Sequence, residues 1–75
     1  MSNKKLKALH SKLVDIKAEL EEIKDKAEET FDSRSEKWQE SDAGITYGER
    51  VNYIESAIDE LESVMDHLEN ASADD

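Results

Sequence analysis

The side chains of this sequence that could do chemistry are carboxylates. Glu21, Asp25, Glu28, Asp32 and Glu36 follow one another at steps of four, three, four and four, and Glu55, Asp59, Glu62, Asp66 and Glu69 run similarly further along. On an α-helix such steps keep side chains on one face, so each set forms an outward stripe of negative charge. At a rise of about 1.5 Å per residue the carboxylates recur every ~5–6 Å, a sparser line than the one phosphate per roughly 3.4 Å of a DNA strand. Two such stripes suit a basic groove that normally receives phosphates, while composition alone favours the solvated outer face of a charged bundle.

Other chemistries find less. A carboxylate-bridged metal site in a helical bundle needs a glutamate three residues before a histidine, but Val64 precedes His67 and Lys7 precedes His10 at that spacing. There is no cysteine, hence no disulfide, thiolate ligand or thiol nucleophile. No glycine-rich phosphate loop is present, and no serine, histidine and acid are arranged around an evident pocket. The expectation is a non-enzyme with no metal and no cofactor. Trp38, Phe31 and Tyr47 are read as core near a turn, whereas Tyr53 points away from the apolar seam as a candidate contact. Lys4, Lys5 and Lys7 form a weak basic cluster that reads as solvated. Asn70-Ala71-Ser72 matches a glycosylation sequon without a secretory context.

The chain has 75 residues, 20 acidic against 10 basic, and a net charge of −10. That balance opposes direct nucleic-acid binding. No apolar run approaches the roughly 20 residues needed to cross a bilayer, and no signal core follows the N-terminal lysines, so a cytoplasmic protein is expected. The charge is uneven. Residues 1–26 hold seven lysines against five acids, for +2, and residues 27–75 hold three basic residues against fifteen acids, for −12.

The elements that must position the carboxylates are helices. Leu6, Leu9, Leu13, Ile16, Leu20, Ile23 and Ala27 alternate at steps of three and four, and Tyr47, Val51, Ile54, Ile58, Leu61, Met65 and Leu68 do the same. The expectation is an all-α antiparallel two-helix hairpin, coiled-coil-like, dimerising into a helical bundle. Helix one is expected over about 3–42, a turn over about 43–46 with Gly44 ending the helix, helix two over about 47–70, and a frayed tail over 71–75. Thr46 and Glu49 are read as a capping box. A competing break lies at Asp32-Ser33-Arg34-Ser35, where helix propensity is low and Ser33 with Glu36 offers a cap; the continuous helix is preferred.

In that short-loop register Trp38 falls opposite Val51 and Leu20 near Leu68. Leu6, Leu9, Leu13 and Ile16 then project beyond helix two and are assigned to self-association in a homodimer. A rival long-loop register pairs Leu6 with Leu68 and Ile23 with Val51, and needs an unusually long connection carrying Phe31 and Trp38. Flanking residues support antiparallel packing: Glu55, Glu62 and Glu69 edge helix two, and His10, Lys17 and Lys24 edge helix one with opposite sign. Arg50, Ala57, Val64 and Ala71, on the other flank of helix two, widen its apolar face as in a bundle of more than two helices.

Glu36-Lys37-Trp38-Gln39-Glu40-Ser41, then Gly44, Tyr47 and Arg50, then residues 54–62, Ile54 to Glu62, resemble small uncharacterised acidic helical-hairpin proteins of phages and mobile elements. The resemblance covers about half the chain and implies a hairpin, with no settled activity. Small acidic phage proteins include inhibitors of host defence that mimic nucleic acid, and by that analogy the expected partner is a host protein with a basic surface. The expected function is therefore a protein-binding module that occludes such a surface, with Glu21, Asp25, Glu28, Asp32, Glu55, Asp59, Glu62 and Asp66 as contacts. The alternative is a dimeric coiled-coil adaptor that binds through its leucine seam.

Overall fold

The computed structural model describes residues 3–73. Three helices follow one another: α1 Asn3–Ser33, α2 Glu36–Glu40 and α3 Asp42–Ala71. The long helices α1 and α3 lie side by side as an antiparallel hairpin, and the short α2 closes one end. The result is a rod with Cα extents of 56 × 15 × 12 Å. The expected all-α hairpin is therefore present, with its connection in a different place.

Helix one does not run to residue 42. It ends at Ser33, at the competing break, and the turn expected over 43–46 lies inside α3. The cause is a set of local hydrogen bonds that compete with helical continuation. Ser33 Oγ donates to the Thr30 carbonyl at 2.8 Å. Gln39 reaches back and its Nε2 donates to the Phe31 carbonyl at 2.9 Å and the Arg34 carbonyl at 3.2 Å, satisfying acceptors that a helix end leaves open. Ser35, not Ser33, caps α2: its backbone is extended and its hydroxyl accepts from the Trp38 amide. Ser41 caps α3 in the same way by accepting from the Gly44 amide at 3.2 Å, and its hydroxyl also donates to the Trp38 carbonyl. Glu36 and Asp42 then sit in the first turns of their helices, where a negative charge is favoured.

Two further expectations change with the turn. Gly44 does not adopt a left-handed conformation and ends no helix; it is buried in the first turn of α3. A Cβ there would lie 2.2 Å from the Trp38 carbonyl oxygen, so glycine is needed for the close approach of α2. Thr46 and Glu49 are internal residues of α3, so they form no capping box. At the far end Ala71 closes α3 and Ser72 is buried, its amide donating to the Leu68 carbonyl at 3.0 Å. Of the expected frayed tail, Asp74 and Asp75 lie outside the described residues.

Rings hold the turn. Phe31, Trp38 and Tyr47 come from the three helices with centroids 5.9, 5.7 and 6.4 Å apart, and the Arg34 guanidinium lies 4.1 Å from the centre of the Trp38 ring. Edge-to-face contacts and a cation over an indole each add to the apolar burial.

Beyond the turn, the register is neither of the two expected. Lys17 meets Glu62, and His10 shares a groove with Met65, Asp66 and Glu69. The first turns of α1 therefore lie alongside the last turns of α3. Leu6, Leu9, Leu13 and Ile16 do not project past a shorter partner, because α3, with 30 residues, nearly matches α1, with 31.

The α3 seam from Tyr47 to Leu68 faces α1 as its spacing predicts, with Ile58 the most enclosed hydrophobic residue at 6% exposure. On α1 the seam is rotated. Leu6, Leu13, Leu20, Ala27 and Phe31 are partly buried together with His10, Lys17 and Lys24, while Leu9, Ile16 and Ile23 are exposed. Lysines at such positions lay their methylene stems along the apolar seam and keep their charge at the edge.

Gly48 contrasts with Gly44. Nothing approaches within 4 Å of where its Cβ would be, and it lies within α3. Gly48→Ala should stabilise the hairpin by about 1 kcal/mol through helix propensity alone, read as a rise in the urea midpoint. An unchanged or lower midpoint would show that the position needs glycine for another reason.

Candidate functional site

The two acidic stripes arise on different helices, and the register decides whether they meet. All eight assigned carboxylates, Glu21, Asp25, Glu28 and Asp32 of α1 and Glu55, Asp59, Glu62 and Asp66 of α3, are exposed. The Lys17–Glu62 pair, at 3.1 Å, shows which flank of α1 adjoins which flank of α3. Helical spacing then places both stripes on the same broad side of the rod. The stripes are staggered. Glu28 and Asp32 line a groove with Phe31, Gly48, Val51 and Asn52 near the turn, whereas Glu62, Asp66 and Glu69 line one with His10 and Lys17 towards the open end. The negative line thus crosses from α1 to α3 along the rod, and Glu21 and Asp25 come level with Glu55 and Asp59 where the stripes overlap.

Cations temper this face unequally. Lys17 neutralises Glu62, and Lys24 pairs with Glu28 at 3.6 Å along the same helix. The opposite signs expected at the helix edges are therefore realised for Lys17 and Glu62, while Lys24 turns to its own helix. Contacts of this exposed kind guide orientation more than they stabilise.

The Lys17 ammonium is held above its ordinary pKa of 10.5, first by the hydrogen bond to Glu62, then by the charge of Glu62, with a smaller contribution from Glu21; burial works against it. A lysine whose folded pKa is raised contributes stability that is complete below 10.5 and is lost as pH rises through the folded value. The difference in thermal midpoint between the protein and Lys17→Met should therefore hold steady from pH 8 to about pH 10 and shrink above 10.5. A difference that is already shrinking at pH 8 would refute the assignment.

The residues assigned to self-association divide. Leu6 and Leu13 face α3, while Leu9 and Ile16 are exposed on the side of the hairpin opposite the carboxylates. Ile23 of α1 and Val64 of α3 belong with the exposed pair and are not among the assigned residues; the signal for Ile23 was its place in the first seam, and for Val64 the run of Ala57, Val64 and Ala71 flanking the second. Tyr53, assigned as a contact, is 76% exposed.

Among the described residues, no group of three or more His, Cys, Asp or Glu side chains is arranged to hold a metal ion. His10 lies in the groove beside Glu69 near the open end, and His67 is exposed on α3. Among the described residues no helix is long and apolar enough to cross a membrane. Comparison of the chain with protein-family models, with curated proteins and with solved structures gives no match.

Proposed function

We propose that this protein is a non-enzymatic, cytoplasmic binding module that works as a homodimer and presents its carboxylate face to a basic surface of another protein. The partner class is a protein that handles nucleic acid, and the mechanism is occlusion of the groove that receives phosphates, as in phage-type inhibitors. The observation that carries this reading is the convergence of eight exposed carboxylates from two helices on one broad side of the rod. A rigid helical support makes the array ready to bind, since little conformational freedom is lost when it docks. Electrostatic docking of this kind speeds encounter and is sensitive to salt.

The test uses immobilised protein and a host extract, followed by competition. A captured basic protein should lose its own nucleic-acid binding as the module is added. Capture should weaken at least tenfold when Glu21, Asp25, Glu28 and Asp32 are changed to Gln and Asn. Binding that withstands both this change and molar salt would refute the reading.

A second reading is favoured by a separate observation. Leu9, Ile16 and Ile23 are exposed although they belong to the leucine seam of α1, and an adaptor coiled coil would bind partners there. Changing Ile16 and Ile23 to Glu separates the two: an adaptor loses its partner, while the acidic module keeps its eight carboxylates and its basic target.

A further inference from the structure

The hairpin leaves apolar residues outside its own seam. α1 gives α3 one row of apolar residues, Leu6, Leu13, Leu20 and Ala27, and one largely polar row containing His10, Lys17 and Lys24. Its remaining apolar row is left exposed, with Leu9 at 41%, Ile16 at 45% and Ile23 at 53%, and Val64 on α3 is exposed at 46%. Ala57 and Ala71 are exposed too. Because Lys17 and Glu62 join the other flanks of the two helices, these rows share one broad side of the rod. Counted along the two helices from the Lys17 and Glu62 pair, Leu9 comes level with Ala71, Ile16 with Val64 and Ile23 with Ala57. The side holding them is opposite the carboxylate face, and it measures about 56 by 15 Å between Cα extremes. Leu9 to Ile23 run along about 21 Å of that length at ~1.5 Å per residue, so the apolar rows form the centre of the face and charged residues its rim.

Charges at the rim of this face select what covers it. On α1, Lys12 lies four residues before Ile16 and Glu19 three after; on α3, Glu60 lies four before Val64 and His67 three after. Each pair has unlike members on either side of the central residue. A two-fold axis through the Ile16 and Val64 layer therefore brings unlike rim residues together. If α1 packs on the α1 of a second copy, Lys12 meets the partner's Glu19, and Glu60 meets the partner's His67. If α1 instead packed on the partner's α3, Glu19 would face Glu60, like against like, and Lys12 would face His67. Lys5 and Lys26 also oppose each other in the favoured arrangement and offset part of the gain from Lys12 and Glu19, all four being exposed; the arrangement with α1 on the partner's α3 has the Glu19 and Glu60 repulsion and no Lys–Glu pair among these residues to offset it.

We propose that the apolar side of the hairpin is covered by a second copy of this chain, packed face to face about a two-fold axis at Ile16 and Val64, to form an antiparallel four-helix bundle with α1 against α1 and α3 against α3. This inference deepens the homodimeric part of the proposed function and rests on it. The arrangement supplies the burial that one hairpin lacks: the described residues of a single hairpin contain no side chain below 2% exposure, and small domains without disulfides or metals commonly gain stability by association. Both carboxylate faces then point outwards on opposite sides, so one dimer carries two binding faces.

Sedimentation equilibrium on the full chain tests this. The protein is expected to be dimeric, and Ile16→Glu should weaken the dimer at least a hundredfold while keeping its helical circular dichroism, since Ile16 is exposed in the single hairpin. Lys12→Glu should weaken it about tenfold through two repulsive contacts, and Lys12→Glu combined with Glu19→Lys should restore it. This swap remains informative should Ile16→Glu fail to fold. A protein that stays monomeric at millimolar concentration would overturn the homodimeric reading and this inference together. A dimer that is indifferent to Ile16→Glu overturns the apolar face alone, and one that the charge swap does not restore overturns the two-fold arrangement.

Discussion

Gly44→Ala should destabilise the protein by about 3 kcal/mol or more, enough to lower the melting midpoint of a domain this small by upwards of ~10 °C. The direction runs against helix propensity, which favours alanine by about 1 kcal/mol inside a helix. Packing decides the outcome. The new methyl would lie 2.2 Å from the Trp38 carbonyl oxygen and 2.6 Å from that of Gln39, and both are backbone atoms with no flexible side chain to move aside. Relief requires α2 to lift from α3, which would break the Ser41 hydroxyl bridge between the Trp38 carbonyl and the Gly44 amide. Urea unfolding followed by circular dichroism checks the prediction, with Gly48→Ala as the contrasting glycine. Equal responses from the two variants would show that the close approach at Gly44 is not what requires the residue.

Trp38→Ala should cost about 3 kcal/mol, at the lower end for removal of a large aromatic because Trp38 is only partly buried. The substitution removes two ring contacts, to Phe31 and Tyr47, and the contact with the Arg34 guanidinium. Phe31 and Tyr47 remain stacked with centroids 6.4 Å apart, so the long helices keep one ring contact near the turn. The serine caps do not depend on the indole, because Ser35 and Ser41 bond to the backbone of residue 38. The expected result is thus a less stable hairpin of nearly unchanged helix content. Combined with Gly44→Ala, the loss should fall short of additive, since both changes undo the same docking of α2 on α3. Additive losses would place the two residues in separate contacts.

How far the sequence reveals this structure depends on which question is asked of each residue. The seam from Tyr47 to Leu68 is legible because one strict alternation of apolar residues on α3 meets one neighbour. On α1 the same alternation holds two apolar rows, and spacing alone does not say which row faces α3. The rotation follows from the aromatic turn and from Lys17 seating against Glu62, both properties of the folded pair. The misplaced turn has a similar origin. A glycine between helices reads as a helix end, but Gly44 serves a close approach that exists only once α2 has folded back. The serines that do terminate and restart the helices are visible in the sequence, yet Ser33, Ser35 and Ser41 are equal candidates until Trp38 and Gly44 supply the amides that single out the last two. For the candidate site, the exposure of each carboxylate is legible from the helical period. Their convergence on one side is not, since a shift of register or a rotation of α1 would have set the stripes apart.

The placement of the rings also grades firmness along the rod. At one pole three aromatic side chains clamp three helices together; at the other, α1 and α3 begin and end with little beyond Leu6, Leu68 and Ser72 between them. Contacts accumulate outwards from the turn like the teeth of a zip, each pair closing a slightly longer loop than the last. Folding should therefore start at the aromatic pole and run towards the chain ends, and unzipping should begin at those ends. Amide hydrogens near Leu9 and Met65 are expected to exchange faster than those near Ala27 and Ile54, a gradient set by where the tryptophan stands.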